Sequence, residues 1–286
     1  MVKNVCRFKF QGFSILEILL ATTFGMILLG GVLQVYLGIK SSFRAQENLA
    51  RAQENLRFAK YTLTQNISMA GYSGCRKINE LFLSNHTIIN FSLENSLHGY
   101  SSNNVPYYLL NNVVPNNDVL VIQKADADAT RVIANVVAGS SNVKVKQNPA
   151  TITNQILFIS DCKNADLFTA TNWLDNDIKT KDKFANSYAI GVSEVGRFEE
   201  TAYFISDTKR VDDSGKPIYG LYQMVNQGNK AELIDAIQSM QISYNVMGKY
   251  LSSSEVDQQK AWQKITAVVI TLNPGRWRFY IKLRER

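Results

Sequence analysis

Between Phe13 and Ile39 the chain carries an apolar run that leaves it little choice of surroundings. From Ile18 to Ile39, 22 consecutive residues have no formal charge, and only Thr22, Thr23 and Gln34 are appreciably polar. As a helix rising about 1.5 Å per residue, this stretch is about 33 Å long and can cross a hydrocarbon core of roughly 30 Å. Glu17 breaks the pattern. A charge deep in lipid costs on the order of 2.5 to 3.5 kcal/mol, so Glu17 either reaches water near the membrane surface or meets a partner.

The residues around Glu17 read Gln11-Gly12-Phe13-Ser14-Ile15-Leu16-Glu17-Ile18-Leu19-Leu20, after a short tail containing Lys3, Arg7 and Lys9. This stretch resembles the class III signal of type IV prepilins, shared by pilins and type II secretion pseudopilins. That signal is a basic leader ending in Gly, then Phe, a hydroxyl residue, Leu, an aliphatic residue, Glu and an apolar helix; here Ile15 stands where Leu is commoner. The resemblance implies cleavage between Gly12 and Phe13 by a membrane prepilin peptidase, N-methylation of Phe13, and pairing of Glu17 with the N-terminal amine of a neighbouring subunit. It also implies a leader at 1–12, a transmembrane and fibre-core helix at 13–40, the periplasmic half of that helix at 41–75, and a periplasmic β-rich globular domain at 76–286. An ordinary secretory signal has an apolar core of about 7 to 15 residues and then a small-x-small cleavage site. Here the core is longer, and Gly38-Ile39-Lys40 offers no such site.

The formal net charge is +7, but three of the cations lie in the leader, which leaves 28 basic against 24 acidic side chains after cleavage. That balance argues weakly for nucleic acid. Cys6 would leave with the leader, so Cys75 and Cys162 remain in the part expected to face an oxidising periplasm. They are expected to be joined, the alternative being two unrelated buried thiols.

The helix should continue past the membrane. No proline precedes Pro106, and Leu49, Ala52, Leu56, Ala59, Leu63, Ile67 and Ala70 recur at spacings of three and four. The spacing predicts a helix from about Ser14 to Met69, ending at Gly71 or Gly74. Met69-Ala70-Gly71-Tyr72-Ser73-Gly74-Cys75 is similar to the Ala-Gly-Tyr-x-Gly-Cys that closes the long helix of PilW-type minor pilins. Ser160-Asp161-Cys162 through Ala165-Asp166-Leu167-Phe168 resembles a second motif of that family, and Glu232-Leu233-Ile234 with Trp262 to Leu272 resembles its C-terminal segments.

Strands are expected at Val119–Gln123, Arg131–Val137, Val143–Lys146, Gln155–Ser160, Tyr188–Val192, Thr201–Ser206 and Pro217–Val225. Asp207–Lys216 reads as a hairpin loop. Ile265–Leu272 is apolar on both faces and reads as a central strand. Trp277–Leu283 alternates, with Trp277, Phe279, Ile281 and Leu283 on one side. Residues 76–117, rich in Asn and Ser, read as loop and hold His86 and His98. Their separation makes a poor metal site, and Asp126-Ala127-Asp128 lacks a calcium-loop pattern and reads as a solvated turn.

No Gly-x-Ser-x-Gly, phosphate-binding glycine loop, His-Glu-x-x-His or CxxC occurs. The sequence is thus read as a non-enzyme without cofactor or metal. Its expected fold is α+β and pilin-like, a long N-terminal helix packed on an antiparallel β-sheet with an inserted β-rich region between the cysteines. The resemblance implies a minor pilin that promotes pilus assembly, anchored in the inner membrane with its N-terminus cytoplasmic and incorporated at the pilus tip. Its partners would be other minor pilins, the major pilin, the prepilin peptidase, the inner-membrane assembly platform and membrane lipid, and not nucleic acid. A type II secretion pseudopilin is the nearer alternative, and a signal-anchored periplasmic enzyme or DNA-binding module the farther.

Overall fold

The computed structural model describes residues 14–74, 78, 81–87, 89–126, 128–147, 154–174, 176–273 and 277–283. Helix α1 runs without interruption over Ile15–Ser68. Two compact units divide inside it, one ending at Glu54 and the other beginning at Asn55. In the second unit Leu56, Ala59, Leu63 and Ile67 are buried at helical spacing. Leu49 and Ala52 belong to the first unit and are exposed, so the expected stripe is covered only from Leu56 onward. Burial of each Leu or Ile in it contributes about 1.5 to 3 kcal/mol. After the helix the chain turns at Gly71, whose φ of 76° is left-handed and suits glycine. The Gly71 N–H then bonds the Gln123 carbonyl at 2.8 Å.

Strands follow at β1 Phe82–Asn85, β2 Leu97–Tyr100, β3 Val119–Ala125, β4 Thr130–Arg131, β5 Asn142–Lys144, β6 Gln155–Ser160, β7 Asn164–Leu174 and β8 Asp177–Thr180. The chain continues through β9 Glu194–Val211, β10 Pro217–Val225, β11 Lys230–Asp235, β12 Met240–Val246, β13 Lys249–Leu251, helix α2 Ser253–Gln258, β14 Ile265–Leu272 and β15 Trp277–Lys282. Among the described residues eleven strands form one sheet, and β13-β12-β14-β15 form a second. The fold is therefore α+β, with antiparallel pairing throughout except where β1 runs parallel to β7.

The 18-residue β9 is the spine of the large sheet. Its residues 194–197 pair with β6 and β4, 198–203 with β3, and 201–211 with β10. One apolar core joins the buried stripe of α1 to Leu120, Ile122 and Tyr203 of the large sheet and to the inner face of the small one. The inner rows of the small sheet are Met240–Leu272–Trp277, Ile242–Ile270–Phe279 and Tyr244–Val268–Ile281. Its outer rows are Gln241–Thr271–Arg278, Ser243–Val269–Tyr280 and Asn245–Ala267–Lys282, the last extended by Tyr250. The two sheets are stitched together before β3, where Asp118 Oδ2 accepts from the Ile242 N–H at 2.7 Å and Asn117 Oδ1 from the Met240 N–H at 2.7 Å.

Several expected strands change. Arg131–Val137 is not a strand beyond Arg131, because its N–H groups go to three different segments: Val132 to Ser193, Ile133 to Lys144 and Val136 to Tyr188. Tyr188–Val192 is likewise not a strand; Gly191 has a φ of 76° and the Ser193 N–H closes a turn on the Ala189 carbonyl. Expected Val143–Lys146 shifts to Asn142–Lys144, with Val145 forming only a bridge to Val132. The span 76–117 contains β1 and β2, and so places His98 in a strand. The hairpin loop shrinks to Asp212–Lys216, since β9 runs on to Val211. The β-rich region between the cysteines is no separate insertion; its strands belong to the sheet that β9 continues.

Candidate functional site

The first half of α1 is a helix with its apolar side chains outward. From Ser14 to Glu54 every residue except Gly25 is exposed, including Ile15, Leu19, Phe24, Leu28, Leu33 and Tyr36. The helix is long and apolar enough to cross a membrane. Its polar groups are largely satisfied from within. Thr22 Oγ1 donates to the Leu19 carbonyl at 3.0 Å and Thr23 Oγ1 to the Leu20 carbonyl at 2.9 Å, which hides two hydroxyls against the backbone.

Gly25, Gly30, Gly31 and Gly38 have open space where a Cβ would stand, so no contact within this chain demands glycine there. A shallow groove of about 390 Å³ passes Gly38 between Val35, Ile39, Ser42 and Phe43.

Glu17 occupies the first turn of α1, where the N-terminal end of the helix dipole favours a carboxylate. Its N–H bonds the Ser14 carbonyl at 3.0 Å, and its side chain is exposed. Gly12 and Phe13 lie outside the described residues. Cys162 is disulfide-bonded. Its expected partner, Cys75, also lies outside the described residues, but the segments just before the two cysteines meet. Ser160 Oγ stands 3.5 Å from the Ser73 carbonyl oxygen and 2.9 Å from where a Cβ on Gly74 would be.

The polar centres of the globular part hold loops and helices in place. Asp166, on β7, is fully buried and accepts from Tyr188 Oη at 2.6 Å, from the Ala185 and Asn186 N–H groups at 3.3 and 3.2 Å, and from Asn186 Nδ2 at 3.3 Å. His86 Nε2 completes the set at 3.0 Å. In the sequence the signal for Asp166 is a carboxylate set between Ala165 and Leu167, and nothing local marks its partners. His98 is also no loop residue. It stacks on Trp262 with ring centres 4.1 Å apart and lies 3.4 Å from Asp257, which accepts from Trp262 Nε1 at 2.6 Å.

A cleft of about 580 Å³ beside β4 is lined by Arg131, Lys146 and Arg197 together with Asp128. Asp126, expected in a free turn, accepts from Arg197 Nε at 3.1 Å and Nη2 at 2.8 Å. Burial pushes its carboxyl up, but the Asp128 N–H and Arg197 outweigh that and hold it below its ordinary value. Glu194, 4.0 Å from Arg131, further offsets the cleft's positive charge. Among the described residues no three of His, Cys, Asp and Glu converge as metal ligands would. Searches against protein-family models, curated proteins and solved structures found no match to this chain.

Proposed function

We propose that this chain is a minor pilin of a type IV pilus, cleaved after Gly12, N-methylated at Phe13, and stored in the inner membrane until it joins a fibre and promotes its assembly. The observation that carries the reading is the first half of α1: a helix with a carboxylate in its first turn and apolar side chains on all sides. In water that surface is costly. In lipid it is covered, and in a bundle of like helices the other subunits cover it.

Glu17 then has a use. The freed amine of a neighbouring subunit supplies its missing countercharge, and because an unpaired charge inside such a bundle is expensive, the pair sets the axial register. The second half of α1 fits the same role, because Leu56, Ala59, Leu63 and Ile67 face its own sheets while Phe58 and Tyr61, roughly opposite on the helix, stay exposed. On this reading the globular part lies in the periplasm, and the partners are other minor pilins, the major pilin, the prepilin peptidase and the assembly platform. The tip position comes from the PilW-type resemblance.

Mass spectrometry of the purified mature protein tests the reading. The expected N-terminus is N-methylated Phe13; a chain that still begins at Met1 in cells with an active prepilin peptidase overturns it.

A further inference from the structure

We infer that the outer face of the four-stranded sheet binds an acidic polysaccharide, a function separate from the helix-mediated assembly proposed above. On edge strand β15 the outward residues are Arg278, Tyr280 and Lys282, with Tyr280 60% exposed between two exposed cations. Alternate residues on a strand stand about 6.8 Å apart, so the ring has a positive charge on either side within one side chain's reach. Tyr250, 51% exposed, lies on the same face at the opposite edge in the row of Lys282, three inter-strand spacings or about 14 Å from it and roughly 16 Å from Tyr280. Among the described residues no Asp or Glu stands in these rows, so the formal charges in them are all positive.

Between the tyrosines β14 contributes the buried Ala267 and Val269, and the polar groups stand beside them on β12. Gln241 donates to the Asn116 carbonyl at 2.8 Å and keeps its own carbonyl for an incoming donor. Asn245 Oδ1 accepts from Gly248 N–H at 3.1 Å and Thr266 Oγ1 at 2.9 Å, which turns its NH₂ to a ligand acceptor. Flat exposed rings, amides and two separated cations suit a chain of hydroxyl-rich rings with spaced carboxylates. A nucleic-acid strand carries a phosphate at each step and calls for a continuous cationic groove, which two cations do not make.

The test uses full-length protein in detergent, with immobilised polygalacturonate as probe, neutral dextran as control and oligo-dT as competitor class. Expected is binding to polygalacturonate that weakens between about 0.1 and about 0.5 M salt as charges are screened. Tyr280→Ala should weaken it roughly tenfold by loss of ring stacking. The double variant Arg278→Gln/Lys282→Gln should remove most of the salt dependence; all three positions are exposed or at the sheet edge, and an unchanged melting temperature checks the fold. No binding to polygalacturonate, equal binding by wild type and variants, dextran bound as well as polygalacturonate, or oligo-dT bound more tightly would each overturn the inference. None of these results bears on the identity of the mature N-terminus.

Discussion

Asp166 shows how one polar residue can hold a loop to a sheet. It lies on the β7 face that packs against Phe184 and Tyr188, and its five hydrogen-bond contacts tie the chain from Ala185 to Tyr188 and the turn at His86 to that strand. Asp166→Ala leaves several buried donors without an acceptor, at a cost of about 3 kcal/mol. For a domain of this size that lowers Tm by roughly 6 to 12 °C, measurable by calorimetry; a shift under about 2 °C would contradict the assignment. His98 gives a pH signature. Burial holds its imidazole below the ordinary 6.5, against the opposing pull of Asp257, a backbone hydrogen bond at Gly99, and Glu94. Between the folded and unfolded pKa values the unfolded chain binds more protons. Stability from this group is therefore intact above about 6.5, falls as pH drops through that value, and levels off below the folded pKa. His98→Phe keeps a ring against Trp262 and cannot titrate. The wild type should lose stability relative to this variant between about pH 7.5 and about pH 5 in denaturant titrations, and a constant difference would refute the mechanism.

The long helix divides into halves that substitution can tell apart. Leu63 is fully buried and Leu33 is 58% exposed, though both are leucines in one helix. Leu63→Ala should cost about 2 to 5 kcal/mol by cavity formation, read as a lower unfolding midpoint. Leu33→Ala should leave that midpoint within about 0.5 kcal/mol and, if the chain is the pilin proposed above, reduce recovery of neighbouring pilins in co-purification. The reverse pattern would mean that the two halves have been assigned to the wrong environments. Elements with strong periodicity were legible. Helix α1, β6, β10 and β14 fall where apolar spacing places them, and β15 buries Phe279 and Ile281 while exposing Arg278 and Tyr280, as its alternation requires. Strand β7 was not legible, because Asn164, Asp166, Thr169 and Thr171 interrupt its apolar signal, and the burial of Asp166 depends on donors some 20 or 80 residues away. Arg131–Val137 shows the opposite failure: it has the composition of a strand, but its hydrogen bonds are shared among three segments. Glu17 could be read from local sequence alone, whereas the sheet face around Tyr280 depends on how four neighbouring strands pair, which the alternation within one strand does not give.

For the whole molecule, the open question of covalent organisation is how the end of α1 is held to the sheet. Cys162 lies in the turn between β6 and β7 with a φ of 67°, and Asp161 fixes that turn by accepting from the Lys163 and Asn164 N–H groups at 3.0 and 2.6 Å. Two residues after the helix turn at Gly71, Ser73 receives the Ser160 hydroxyl bond at 3.5 Å. The two chain segments leading to Cys75 and Cys162 are thus already side by side, which supports pairing of those cysteines over pairing of Cys162 with Cys6. A bond between them closes a loop of about 86 residues and, in the chain-entropy account, stabilises the fold by about 4 to 4.5 kcal/mol. Peptide mapping without reductant should therefore recover Cys75 and Cys162 in one cross-linked fragment from the processed protein. Cys75→Ser should leave Cys162 open to alkylation in that protein and lower its unfolding midpoint by the same amount as Cys162→Ser, since either change opens the same loop. If Cys162 stays protected in Cys75→Ser, or the two variants differ by more than about 1 kcal/mol, the tie runs elsewhere and the end of α1 is held by packing and by the hydrogen bonds of Gly71 to Gln123, Ala125 to Tyr72 and Ser160 to Ser73.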